Sequence, residues 1–410
     1  MHVYPPGFAQ EIIDFCRQSV PESRPVEMPS LEALTEMLEA AFFASCQKEE
    51  GRSLYFRIAY CSPASQAARQ VRSRVDWIPF QRARPCTAAE IRRLAPALDP
   101  QRSMLCCHWD GGLIMDGILF GQSDYEAIRV GYRSGGRRLP PLFNVTALNA
   151  GCLAANRGDE CLVELSHGKI RHPVHLAEGG PILRGLHGVV HAMQEEAWAS
   201  VPAAAHLRRP GSPIFCPYIP FLKKILHTME ASDHGGSLLL IPHDQTGALT
   251  SAEIDIKYRL CGTSAWDKCL SVMSLLISQE LPENIGILGM EEDQIRFDNA
   301  CRDVMTLAEV VGNLGAVDGA LLLTDRLEIL GFGAEIRLHA DSEGAVELVP
   351  DARSAPRREI ITHYGTRHRS IVRFCKHFRQ AIGFILSQDG GLKAVASSDA
   401  GVTLWGDVAL

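Results

Sequence analysis

Between residues 221 and 395 the chain switches repeatedly between two hydrophobic periods, and this alternation constrains its fold more than any other feature. Residues 221–229 follow a helical pattern. His234-Gly235-Gly236 then leads into Ser237-Leu238-Leu239-Leu240-Ile241, a short apolar run stopped by Pro242. Ala300, Val304, Leu307, Ala308, Val311 and Leu314 have the spacing of one helix face, and Gly315 ends it. Residues 317–323 read as a strand, and a Thr324-Asp325-Arg326 turn returns it through residues 327–332 as a hairpin. Ile371, Phe374, Cys375, Phe378 and Ile382 mark a further helix. The strand 381–387 follows, with a second hairpin through Asp389-Gly390 into residues 392–395. Short strands interleaved with helices predict a mixed β-sheet flanked by helices, in the α/β (α+β) class.

The N-terminal half mixes the same elements. Pro29-Ser30 ahead of Leu31, Leu34, Leu38, Ala41 and Phe42 predicts a capped amphipathic helix, closed by Gly51. Alternation over residues 53–60 and 161–165, the latter before a His167-Gly168 turn, predicts strands in a mixed α/β domain. Composition shifts to Pro, Ala, Arg and Gly between residues 200 and 220, which places a linker at 206–215 between domains 1–205 and 216–410. The 410 residues, 46% hydrophobic, suffice for two such cores. The net charge of -7 argues against general nucleic-acid or anionic-membrane binding, so any anion-binding function has to be a local patch. The start, Met1-His2-Val3-Tyr4-Pro5-Pro6, lacks the basic-then-apolar run of a secretory signal. No stretch approaches the roughly 20 apolar residues of a membrane span. A cytoplasmic location is expected, with the thirteen cysteines as reduced thiols serving as small core residues.

The local patch is Tyr364-Gly365-Thr366-Arg367-His368-Arg369. Two guanidiniums flank an imidazole directly after a Gly-Thr that can open a helix. Free backbone N–H groups, a positive dipole end and two forked donors would converge there, as the holding of a polyphosphate requires. Upstream, Asp318-Gly319-Ala320 opens a strand expected to be buried, where a carboxylate is costly unless it meets a metal, a donor or a ligand. Gly319 would let a ligand approach the backbone. Ser387 stands at the end of a later strand.

Asp318-Gly319-Ala320, Arg367-His368-Arg369 and a strand ending in Ser387, in this order, resemble the diadenylate cyclase family. The resemblance covers residues 216–410. The whole chain also resembles a subgroup in which a large sensor module, with its general look near Glu49-Glu50-Gly51-Arg52, precedes the cyclase domain. It implies condensation of two ATP molecules into cyclic di-AMP and two pyrophosphates, each ribose 3′-hydroxyl attacking the α-phosphate of the facing ATP. By the same resemblance Asp318 would orient or activate the hydroxyl with a divalent cation (Mg²⁺, Mn²⁺ or Co²⁺), and His368 would contact phosphate or metal. Arg367 and Arg369 would stabilise charge developing on the pyrophosphate. Gly319, Ala320, Gly365, Thr366, His368 and Ser387 would bind ATP. Two domains have to face each other, so a homodimer or larger homo-oligomer is implied, with an unidentified ligand for the N-terminal domain. Two positions depart from relatives: Gln388 stands where a Glu often follows the serine, with Asp389 next, and Val317 where some carry His. The alternative is a sensor that binds ATP or cyclic di-AMP in the same fold without turnover.

Other motifs have simpler readings. Arg373, Lys376 and Arg379 continue a solvated basic face. His187, His191 and Glu195 share a helical face but lack a fourth metal ligand, and His172-Pro173-Val174-His175 has no ligand partner. Gly331-Phe332-Gly333 lacks the third glycine of a dinucleotide fingerprint and reads as a hairpin bend.

Overall fold

The computed structural model describes residues 3–19, 27–49, 52–62, 77–98, 103–120, 142–158, 160–176, 180–207, 215–232, 235–279, 281, 289–338, 345–387, 391–398 and 401–410. Two mixed sheets with their helices place the chain in the α+β class. It divides into two compact units, Met1–Pro173 and Val174–Leu410. Among the described residues, no helix is long and apolar enough to cross a membrane.

The first unit begins with helices α1 (Pro5–Ser19) and α2 (Leu31–Ser45) and the short ribbon β1 (Lys48–Glu49) and β2 (Arg52–Ser53). Then come β3 (Phe56–Tyr60), β4 (Trp77–Pro85), α3 (Ala88–Leu94), β5 (Ser103–Trp109), β6 (Leu113–Phe120), β7 (Phe143–Asn149), β8 (Cys152–Arg157), β9 (Glu160–Ser166) and β10 (Lys169–Arg171). Ser30 caps α2 as its sequence predicts: Oγ accepts the Ala33 N–H at 3.2 Å. The helix ends at Ser45, and Gly51 lies outside the described residues. Eight strands order as β10-β9-β8-β7-β3-β5-β6-β4, antiparallel except for β3 beside β5. Leu34, Met37, Leu38 and Ala41 of α2, with Phe8 and Ile12 of α1, cover Phe56, Ile58, Val145 and Leu153 of the sheet. The residues Glu50 and Gly51, within the expected sensor-like stretch, are not described.

The second unit contains β11 (Val174–His175), α4 (His187–Ala199), α5 (Tyr218–Ala231), β12 (Ser237–Ile241), β13 (Ile254–Arg259), α6 (Trp266–Gln279), α7 (Gly289–Leu314), β14 (Ala320–Thr324) and β15 (Ile329–Ile336). β16 (Ala345–Val349), β17 (Arg357–Ile360), α8 (Thr366–His377), β18 (Ile382–Leu386), β19 (Leu392–Ser398) and β20 (Gly401–Ala409) complete it. Its sheet runs β13-β15-β14-β12-β18-β19-β20-β16-β17, and β11 pairs with β20. β12 and β14 are parallel, whereas β12 and β18 are antiparallel, and every residue of these three central strands is buried. Continuous apolar runs reflect that two-sided burial. Both expected hairpins form, β14–β15 and β18–β19, although Asp389-Gly390 lies outside the described residues.

Two details differ from expectation. Gly331-Phe332-Gly333 is inside β15 rather than in a turn, and the β14–β15 register shifts beside it. Gly331 (φ +155°) and Gly333 (φ +64°) take up the irregularity, as glycine in a bulged strand does. The compositional break at 206–215 falls within the second unit; residues 208–214 are not described. Earlier segments already pack in that unit: β11 joins its sheet, and the Trp266 indole N–H donates to Glu196 of α4 at 3.0 Å.

Candidate functional site

Register brings the expected site residues to one end of the central sheet. Ser237 is paired with Ala320 on one side and Ile385 on the other, and Ile385 is paired with Lys393. One row of the ladder therefore runs Ala320–Ser237–Ile385–Lys393. Beyond that row lie Asp318 and Gly319 before β14, Gly235 and Gly236 before β12, and Ser387 after β18. The Leu386 N–H donates to the Gly236 carbonyl at 2.9 Å, which continues the pairing to this edge.

Helix α8 reaches the same edge. Ile371, Val372, Phe374, Cys375 and Phe378 join the core beneath the helix, each large apolar side chain contributing about 1.5–3 kcal/mol on burial. Gly383 permits the close approach, since a Cβ there would stand 2.3 Å from Ile371 Cγ2. At the other end of the helix, the Lys393 ammonium lies 3.3 Å from His368 Nε2. His368 is thus level with the Ala320–Lys393 row, and the first turn of α8 opens at the same end of the sheet as Ser387. Gly365 is the N-cap and offers no side chain to the first-turn amides, while Gly365 and Thr366 are exposed. Arg367, His368 and Arg369 are half-buried. Burial, then Lys393, then Arg367 push the His368 pKa down to about 4. Its ring stands 5.5 Å from that of Tyr364, and Lys393 lies 5.9 Å from the Tyr364 ring centroid.

Asp318 is exposed, outside the strand, so the desolvation argument from sequence does not apply to it. The chain turns at Gly319 (φ +116°) before β14 begins, which leaves the carboxylate in solvent. Gly319 also has a packing reason to be glycine: a Cβ would lie 2.5 Å from the Gly333 carbonyl carbon and 2.7 Å from its Cα. The close approach observed is to the chain's own backbone. Ala320 is buried in the core under α8, and Ser387 is half-buried at the strand end.

Two features escape the sequence reading. One is Lys393, delivered by a different strand from the arginine run. The other is a stacked pair, Tyr258 on β13 and Phe332 on β15, with centroids 4.8 Å apart and Tyr258 52% exposed. A Cβ on Gly333 would touch both Tyr258 Cδ2 (3.2 Å) and the Asp318 carbonyl (3.5 Å), so this aromatic face borders the Asp318 segment.

Among the described residues, no three His, Cys, Asp or Glu side chains gather as a metal cage. Asp318 supplies one hard oxygen donor, which fits a Mg²⁺-type ion held mainly by phosphate oxygens and water. Gln388 and Asp389 lie outside the described residues. A separate cleft occupies the opposite end of β12 and β14, where Arg326 lies over the Trp266 ring and His243 Nδ1 is 3.5 Å from Glu328. Its charges already face one another. The remaining motifs take the simpler readings: His191 meets Glu195 at 3.8 Å, and His172 meets Glu11 at 3.2 Å and stacks on Phe15. All thirteen cysteines are free thiols, ten of them buried.

Residues 23–119 match a family described as "Probable sensor domain DACNV". The matched stretch lies within the first unit and includes α2, β3, β4, α3, β5 and all but the last residue of β6. No curated protein matches the chain. The comparisons therefore identify a sensor-domain segment ahead of the unit that carries Asp318 and the start of α8.

Proposed function

We propose that the chain is a diadenylate cyclase whose first unit is a sensor and whose second unit binds ATP and joins two copies of it into cyclic di-AMP. The observation that carries this reading is the register, which sets the Asp318-Gly319 segment, Ser387 and the first turn of α8 at one end of the same sheet. The sensor-domain match at residues 23–119 supports the two-part organisation.

The reaction needs positioning and charge neutralisation more than a covalent protein group. Arg367, Arg369 and the first-turn amides of α8 bind the triphosphate and stabilise charge as pyrophosphate leaves. Thr366 and Ser387 add hydroxyl donors. Asp318, exposed at this end of the sheet, accepts a hydrogen bond from the ribose 3′-hydroxyl and orients it. A divalent cation carried with ATP supplies further charge neutralisation, and Asp318 is the residue that would hold it. The exposed Tyr258–Phe332 stack offers a nucleobase an aromatic face beside Asp318. Each second unit holds one ATP, so two chains face each other for turnover.

The test is incubation of the purified full chain with ATP and Mg²⁺, Mn²⁺ or Co²⁺, followed by chromatography for cyclic di-AMP, with GTP as base control. Wild type forms product at a rate per chain that falls on dilution, and Asp318→Ala and Arg367→Ala form none. ATP binding without product under any metal removes the cyclase and leaves a nucleotide sensor.

A further inference from the structure

The row Ala320–Ser237–Ile385–Lys393 contains a hydroxyl that the fold itself does not satisfy. Leu239 and Ile241 of β12 belong to the core beneath α8, and residues two apart along a strand share a face, so Ser237 points to the α8 side of the sheet. Its ladder partners Ala320 and Ile385 belong to the same core and, being apolar, give its side chain nothing to bond. Ser237 is only 4% exposed. Among the described residues its Oγ has no hydrogen-bond partner, yet it is not sealed from solvent. Gly235, two residues earlier, has no side chain to stand between Ser237 and the sheet end. A nearly buried hydroxyl without a partner is costly, which makes it a place where a ligand group is expected.

We infer that Ser237 binds the α-phosphate of ATP, its hydroxyl donating to a non-bridging oxygen on the phosphorus that the facing ribose attacks. This rests on the proposed ATP site, and the connectivity of the nucleotide selects the contact. The ribose is held at Asp318, on the β14 side of β12, and the outer phosphates go to the first turn of α8, on the β18–β19 side. The α-phosphate joins these two parts and therefore crosses β12. Strands lie about 4.8 Å apart, so Ser237 is one spacing from Ala320 and two from Lys393, between the two ends of the nucleotide. A serine hydroxyl can donate as well as accept, and a phosphate oxygen of ATP accepts, so Oγ–H is the donor. The contribution falls on one phosphate and is separable from recognition of the nucleoside.

The experiment uses the full chain and compares wild type with Ser237→Ala and Ser237→Cys, measuring ATP, AMP and adenosine affinity by calorimetry and thermal unfolding without nucleotide. AMP keeps the α-phosphate as its only phosphate, and adenosine lacks it. Ser237→Ala should weaken ATP and AMP binding alike, by about tenfold or more for a hydrogen bond to a charged group, and change adenosine binding less than about twofold. Ser237→Cys nearly keeps the volume, but a thiol is a weak donor, so it should follow the alanine variant. Without nucleotide, Ser237→Ala should melt no lower than wild type, because no bond within the protein is lost. Unchanged ATP affinity in Ser237→Ala, wild-type affinity in Ser237→Cys, an equal loss for adenosine, a lower melting temperature, or AMP bound no tighter than adenosine by wild type each overturns the inference even if the cyclase is active. A wild type that binds ATP without turnover and shows the expected pattern removes the cyclase and keeps this inference. A wild type that binds no ATP removes both.

Discussion

Replacing Gly319 with alanine separates what the backbone requires from what a ligand requires. At φ +116°, an added methyl would stand 2.5 Å from the Gly333 carbonyl carbon and 2.7 Å from its Cα. Two costs add. An L-residue held in that region of φ costs about 1–3 kcal/mol. Forcing a methyl into filled space costs about 1–3 kcal/mol more. The obstruction is backbone of the paired strand rather than the tip of a side chain, so relief requires β14 and β15 to part. The sum, about 2–6 kcal/mol, should fall in its upper half, a large fraction of a total stability of about 5–15 kcal/mol. Gly365→Ala is the control: φ is -60° there, nothing lies within 4 Å of the added methyl, and the cost stays below about 1 kcal/mol. Hydrogen exchange of the full chain, read on peptides spanning residues 320–336, measures the opening of this hairpin. Gly319→Ala should lower its opening free energy by about 3 kcal/mol or more, and Gly365→Ala should leave it unchanged. Protection equal to wild type in Gly319→Ala would refute the steric reasoning, and lost activity with full protection would assign the glycine to a ligand instead.

Tyr258→Ala should weaken ATP binding by about tenfold, within the 1–3 kcal/mol typical of base stacking, while circular dichroism stays unchanged because Tyr258 is half-exposed; unchanged affinity in calorimetry would exclude the aromatic platform. His368 gives a pH signature. Its folded pKa of about 4 lies below the ordinary 6.5, so between those values the unfolded chain takes up a proton that the folded chain refuses. Stability should therefore fall as pH drops from 6.5 toward 4 and be indifferent to this group above 6.5; urea titrations of His368→Gln should show a shallower fall, and identical slopes would contradict the assignment.

The structure legible from the residues in order was local. Ser30 ahead of a helical pattern, the Thr324-Asp325-Arg326 turn between two apolar runs, and the amphipathic spacing from Ile371 to Phe378 each carry their structure within a few residues. Asp318 was misplaced because the apolar pattern extends to Val317, while the strand starts only after the turn at Gly319. Lys393 was out of reach because it meets His368 through the β18–β19 pairing, 25 residues away in sequence. The Tyr258–Phe332 stack likewise depends on β13 and β15 becoming neighbours across α6 and α7. Composition cannot mark the division after Pro173, because the second unit opens with a two-residue strand recognisable only by its partner near the carboxyl terminus.

That small strand has a mechanical consequence. Val174 pairs with Val408, Val408 pairs with Leu392, and Leu392 precedes Lys393. The Leu176 N–H adds a further bond to the Ala409 carbonyl at 2.8 Å. The point where the chain enters its second unit and the point where it ends are therefore stapled into one row, two strand spacings from the lysine beside His368. A tug on the backbone at Pro173 is delivered crosswise through β20 to β19, without travelling along the more than two hundred residues between. Trimming the last few residues would cut that tether at both ends at once.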